Sequence, residues 1–255
     1  MKSLERAVTA LFFLLPALPS QGPSGTRTGV MPIRLPSIRE PRLEKRARRI
    51  YQAALGQARY LLGTVHPWKK DPRFKLLTAS RSGEHWIRPN TSAAEGFAFL
   101  CRFGPYAPNA AGISRKKLFG EILLPMLRYL AATHVTGTLK TGDGKPWGDA
   151  WQSAYWAYSL GRAAWYTWDR LPGDLREGIR RVVAHEADRF VGKKPPHRIP
   201  RDTKAEENAW NATVLSAAIL LMPRDPRRAA WEKTFRLWAL SSFLRPSDRN
   251  SRKIV

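Results

Sequence analysis

Asp202-Thr203-Lys204-Ala205-Glu206-Glu207-Asn208-Ala209-Trp210-Asn211 is the most polar entrance to an apolar helix anywhere in this chain. Thr203 and Glu206 have the spacing of a capping box, and acidic residues suit the positive end of a helix dipole. That accounts structurally for Glu206 and Glu207. It does not account for Asn208 and Asn211. Asn is a mediocre helix former, and these two lie one turn apart on one face, around Trp210. Amides buried there need partners, and two answers stay open: backbone of the next hairpin, or a substrate carboxylate or hydroxyl.

Two further segments repeat this plan of a polar, extended lead into an apolar helix. They are Arg88-Pro89-Asn90-Thr91-Ser92-Ala93-Ala94-Glu95 and Lys145-Pro146-Trp147-Gly148-Asp149-Ala150-Trp151-Gln152. The three begin at positions 88, 145 and 202, about 57 residues apart, a period that fits one helical hairpin plus its loops. Working outward, apolar spacing predicts helices near Arg42–Leu62, Ser92–Phe103, Ser114–His134, Asp149–Trp168, Pro172–Phe190, Lys204–Leu221 and Pro226–Phe243. Ile50, Ala54, Ala58 and Leu61 share a face of the first helix. Pro125 predicts a kink in the third, and Pro172 stands where a first turn tolerates it. No segment has the alternation and turn spacing of a sheet.

The expected class is all-α. Apolar helices entered from polar loops alternate with more amphipathic, charged ones, which is the inner–outer alternation of an α/α toroid. A helical bundle without closure is the alternative. Seven helices make three and a half hairpins, fewer than a closed ring uses, so a truncated frame or a half-domain completed by a partner is expected.

With 44 Lys+Arg against 20 Asp+Glu, the formal charge is +24, which attracts polyanions through long-range steering. Nucleic acid, anionic lipid and acidic polysaccharide all qualify; so does the plain reading of solvated, arginine-rich helix faces. A 43% hydrophobic share and ten tryptophans exclude a disordered chain. Lys2 and Arg6 precede the apolar run Ala7–Leu18, too short to span a bilayer, and Pro19-Ser20-Gln21-Gly22 follows. Residues 1–20 therefore read as an export signal and 21–40, rich in Pro, Gly, Ser and Arg, as a linker to a domain over 41–255. An uncleaved signal segment is the one expected membrane contact, and a start at Met31 erases the signal. Cys101, the single cysteine, allows neither an internal disulfide nor a cysteine metal site and reads as a buried, inert thiol.

Candidate chemistry gathers in two places. The Asn208 helix is one, with His197 in the loop leading to it, where a solvated histidine is the default reading. The second is the run from Trp147 through Trp151, Gln152, Tyr155, Trp156 and Tyr158. Trp151, Tyr155 and Tyr158 fall on one helical stripe with Trp156 turned away. Aromatic rings beside polar groups suit sugar faces, whereas an aromatic stripe also suits a core. Trp147 and Trp151, at the helix start, are the better ligand candidates and Tyr158 the more core-like. The histidines are scattered with no H-x-x-x-H pair, so no metal is expected; phosphate-loop, dinucleotide and nucleophile-elbow motifs are absent, so no cofactor is expected.

On these features the chain resembles the N-terminal part of α/α-toroid polysaccharide lyases, broadly those similar to heparinases and alginate lyases. The resemblance covers roughly Arg39 to Ser247 and rests on architecture and on the Glu206–Asn211 helix entrance. It implies cleavage of an acidic, uronate-containing polysaccharide by β-elimination. An Asn neutralises the uronate carboxylate, a Tyr or His removes the C5 proton, and a Tyr protonates the departing oxygen. Carried over, Asn208 or Asn211 is the neutraliser and Tyr155 or His197 the acid–base group. Trp147, Trp151, Gln152, Asn90, Glu95, Glu207 and Trp210 would bind the glycan. The Asn-His dipeptide common in such sites is absent, and so is a C-terminal β-sandwich. Two rivals are an inverting hydrolase pairing Glu95 or Asp149 with Glu207, and a non-catalytic binder of anionic glycans. Nucleic acid is disfavoured for want of any known module, and no obligate protein partner is inferred.

Overall fold

The computed structural model describes residues 29–33, 40–197 and 202–243. The expected signal, most of the linker and the last twelve positions lie outside the described residues. The elements are α1 (Pro41–Leu62), a hairpin of β1 (His66–Trp68) and β2 (Asp71–Leu76), α2 (Glu84–Arg102), and short α3 (Pro108–Ala111) and α4 (Arg115–Lys117). A π-helical stretch (Leu118–Leu123) runs straight into α5 (Leu124–Thr133). Then come α6 (Ser153–Thr167), α7 (Gly173–Asp188), α8 (Ala205–Leu221) and α9 (Arg228–Leu240). The body is helical, as the periodicity predicts. The antiparallel hairpin is a correction. Its strands are too short to show alternation, and it is held by Trp68, buried edge-on against Tyr129 at 5.4 Å.

Side-chain pairs reveal how the helices run. Arg88 lies over the Tyr155 ring, Glu95 meets Arg162, and Phe99 meets Tyr166. The two sequences advance together, so α2 and α6 are parallel neighbours. Trp210 packs on Trp151 and Tyr155, and Ala217 and Leu221 lie beside Gly161, so α8 is parallel to α6 on its other flank. Behind them α7 runs the opposite way, with Arg189 at Ser153 and Val183 at Gly161. α5 runs with α7, Arg128 pairing with Asp174 and His134 with Glu186. One layer thus holds three parallel helices, α2, α6 and α8, and a second layer holds α5 and α7. α9 lies against α8.

Several local expectations are corrected. α2 begins at Glu84, so Pro89 lies inside it instead of in an extended lead. Trp86 O, in that first stretch, accepts from the side chains of Asn90 (Nδ2) and Thr78 (Oγ1), which ties the turn to the hairpin's exit. At Pro125 the chain answers the missing N–H with the preceding π-turns. The capping box at Thr203 does not form: Lys204, at φ 57°, is the N-cap, and Asp202 and Thr203 accept from the next N–H groups. α1 buries Tyr51, Leu55 and Ala58, not Ile50, because Tyr51 donates to Phe103 O and so turns that face inward. Residues 29–33, inside the expected linker, dock against α8 and α6: Met31 N donates to Leu220 O and its carbonyl accepts from Trp165 Nε1.

α6 touches neighbours on three sides, and its close approach needs Gly161, where an added Cβ would meet Val183 at 3.1 Å and Ala217 at 3.3 Å. Gly161→Leu is expected to cost about 1–3 kcal/mol by overpacking. Gly161→Ala is expected to cost less, since better helix propensity offsets part of the crowding. Urea unfolding of the two variants checks this order.

Candidate functional site

Two side-chain clusters flank the start of α6. The first is buried behind it. Glu186, on α7, has no solvent exposure, so its charge must be met inside the protein. One carboxylate oxygen accepts from His134 Nε2 (3.2 Å) and Asp149 N (2.9 Å). The other accepts from Ser153 Oγ (2.7 Å) and from Arg189. His134 Nδ1 accepts from Thr136 N (3.1 Å), which leaves the proton on Nε2 and makes the ring a neutral donor. The loop reaches this geometry through Gly148 (φ 123°) and Asp149 (φ 53°). A side chain at Gly148 would put Cβ 2.7 Å from His134 Nε2.

Asp149, His185 and Glu186 bring ligand-type atoms within 4.8 Å of one another. The chemistry argues against a cation there. Four donors occupy the lone pairs of Glu186, and His185 Nε2 is engaged with Asp149 Oδ1 at 2.8 Å. The cluster locks the 134–153 loop onto α7.

Burial pushes the Glu186 carboxyl up, but the His134 hydrogen bond, the Arg189 charge and the Ser153 and Asp149 donors outweigh it and hold it at about 2. Burial keeps His134 below its ordinary value despite Glu186. Both groups therefore bind protons more readily in the unfolded chain. Their stabilising effect is complete above the ordinary histidine value of 6.5. It falls as pH drops, with the Glu186 share lost from about 4.5 down to about 2. Glu186→Gln is expected to lose about 3–5 kcal/mol at neutral pH and to flatten the acid limb below pH 4.5. Thermal unfolding across that range checks both.

The second cluster faces outward. α6 is buried all round except along Trp151, Tyr155, Tyr158, Arg162 and Trp165, spaced four and three residues apart. Trp151, just before the helix, is 60% exposed. Its ring lies 5.6 Å from Trp210, which lies 6.0 Å from Tyr155. The Arg88 guanidinium sits 5.8 Å from the Tyr155 ring. Arg162 meets Glu95 at 3.0 Å and donates to the hydroxyls of Tyr158 and Tyr166. Among the described residues no group hydrogen-bonds to the Tyr155 hydroxyl. Three parallel helices thus contribute one continuous aromatic and arginine face.

Trp151, Tyr155, Trp210 and Glu95 of the expected set line this face. Glu207, half-buried at the start of α8, pairs with Lys204 at 3.1 Å. Gln152 is buried at the N-cap of α6, its side-chain Oε1 without a donor among the described residues. Trp147, Asn90 and Asn208 sit in the core. Trp147 is 1% exposed and donates to Leu130 O, while Tyr158, expected to be the deeper ring, is partly open. Asn90 spends its amide on Leu77 N, Thr78 Oγ1 and Trp86 O. Asn208 is fully buried; its Nδ2 donates to Pro196 O and Ser241 O, so backbone supplies the partners on that side, while its Oδ1 has no donor among the described residues. Asn211 is 9% exposed, with an orphan carbonyl oxygen, and His197 is half-buried before α8. Arg88, Arg162 and Trp165 were missed. A signal existed, because they continue the stripe or its flank at helical spacing.

No protein-family model matches the chain, and neither a curated protein nor a solved structure gives a significant match. The geometry alone therefore carries the functional reading. Among the described residues, no helix is long and apolar enough to cross a membrane.

Proposed function

We propose that this protein is an exported carbohydrate-active protein that holds an acidic, uronate-containing polysaccharide along the exposed stripe of α6. The carrying observation is the Trp210 ring packed on both Trp151 and Tyr155, with Arg88 beside Tyr155. Rings tilted by 53° and 38° make a curved cradle for pyranose faces, and the guanidinium lies where a carboxylate on such a sugar needs a cation. On this reading the parallel inner layer and the opposed outer layer are a segment of an α/α toroid, its concave side carrying the stripe.

The same arrangement favours elimination over hydrolysis. Each carboxylate of the hydrolase alternative is already tied: Glu95 to Arg162, Asp149 to His185 and Glu207 to Lys204. Tyr155 has a hydroxyl that no described group engages, and Arg88 beside it. In β-elimination a base takes the C5 proton, the C4–O bond breaks, a C4=C5 double bond forms and the leaving oxygen takes a proton. We assign Tyr155 to proton transfer and Arg88 to the carboxylate, the part that resemblance alone would give to Asn208 or Asn211. Nucleic acid is the weaker partner, and no cofactor enters this scheme.

Titrating acidic oligosaccharides by calorimetry tests the binding claim. Trp151→Ala and Trp210→Ala are each expected to weaken binding roughly tenfold without changing the fold. Arg88→Gln is expected to reduce both affinity and its salt dependence. Unsaturated uronide product that disappears in Tyr155→Phe, with binding kept, supports elimination. Binding without product in the parent chain leaves a non-catalytic binder, and no salt-dependent binding at all would sink the reading.

A further inference from the structure

The first ten residues of α1, Pro41 to Ile50, contain no buried residue, and only Ala47 is even partly covered. Ten residues of helix extend about 15 Å, so this half projects from the body as an arm. Packing begins at Tyr51.

The arm has two faces. Leu43, Ala47 and Ile50 follow one another at four and three residues, on one stripe that continues into Ala54 and Leu61. Leu43 is 48% exposed and Ile50 70%, so two large aliphatic side chains stand open on the same stripe. Arg42, Lys45, Arg46, Arg48 and Arg49 cover the remaining circumference against one acid, Glu44, which pairs with Arg48 at 2.6 Å. Exposed i,i+4 pairs contribute little, so the arm keeps a strong net positive charge.

We infer that this arm is a docking element for an anionic lipid surface. Aliphatic side chains between flanking arginines match a bilayer interface, where the apolar stripe enters the acyl boundary and the guanidinium groups reach headgroup phosphates. An acidic polysaccharide offers charge but nothing apolar for Leu43 and Ile50, and the rings proposed above to hold sugar, Trp151, Tyr155 and Trp210, lie at α6 and α8 instead. Nucleic acid has the same mismatch. The arm is separate from the α6 stripe, so the two proposals stand or fall independently.

The test uses the full chain with Ile50→Cys carrying an environment-sensitive fluorophore. Cys101 is buried and its thiol is pushed up to about 11, so it does not compete for the label. Glu177→Cys, on the exposed side of α7, is the control. Vesicles containing phosphatidylglycerol are expected to shift the emission of the Ile50 label to the blue and to leave the Glu177 label unchanged. Pure phosphatidylcholine vesicles should leave both unchanged. Adding Arg46→Gln and Arg49→Gln should raise the lipid needed by roughly tenfold or more. Because the control reports the same chain, a membrane contact made only through Ala7–Leu18 leaves the Ile50 label silent and overturns the inference. It is equally overturned by the same response on both lipids, by a response to acidic polysaccharide without lipid, or by one that grows with protein concentration alone.

Discussion

A carboxylate shut away from water governs this structure. Glu186 keeps its charge in the interior because four donors converge on it from three separate parts of the chain: the end of α5, the loop before α6 with its first turn, and α7 itself. Each donor fixes the position of the segment that carries it. The loop from His134 to Ser153 has almost no regular structure of its own, yet it is held in one conformation. Its backbone follows an unusual path at Gly148 and Asp149 for the same reason. Such a network stabilises geometry more than it adds net free energy, since desolvating the ions offsets much of their attraction.

Locking that loop sets where α6 begins and how it is rotated. With α2 and α8 at its flanks and α7 behind, only one narrow line of the helix can remain open. That line carries Trp151, Tyr155, Tyr158, Arg162 and Trp165. The core behind it is small-residue packing, with Gly161, Ala157, Ala163 and Ala164 letting the neighbours approach. The outward aromatic face is therefore a consequence of burial on every other side. Its rings cannot all be satisfied by the core, and arginines from α2 and α6 itself pack among them.

Much of this was legible in the residues. The helices themselves follow from apolar spacing, and the stripe Trp151–Tyr155–Tyr158 with Trp156 turned inward follows from the helical period. The polar residues misled, for one physical reason. Asn90 and Asn208 look like ligand groups because most of what satisfies them is distant in sequence, Leu77 and Thr78 in one case and Pro196 and Ser241 in the other. Trp147 looked like a cleft residue at a helix start, and in fact its indole N–H caps a carbonyl of α5. The hairpin escaped notice because strands of three and six residues, one with Pro67, carry no readable alternation.

The residues alone determined the class, the basic charge and the aromatic spacing of α6, because these depend on composition and on local periodicity. Tertiary structure alone decided which polar side chains were consumed internally. It also decided that α2, α6 and α8 run parallel, that Glu186 is buried, and that the first half of α1 stands clear of the body. These facts rest on contacts between residues far apart in the chain, and a hydrogen-bond partner or a covering surface supplied from a distance leaves no trace in the local pattern.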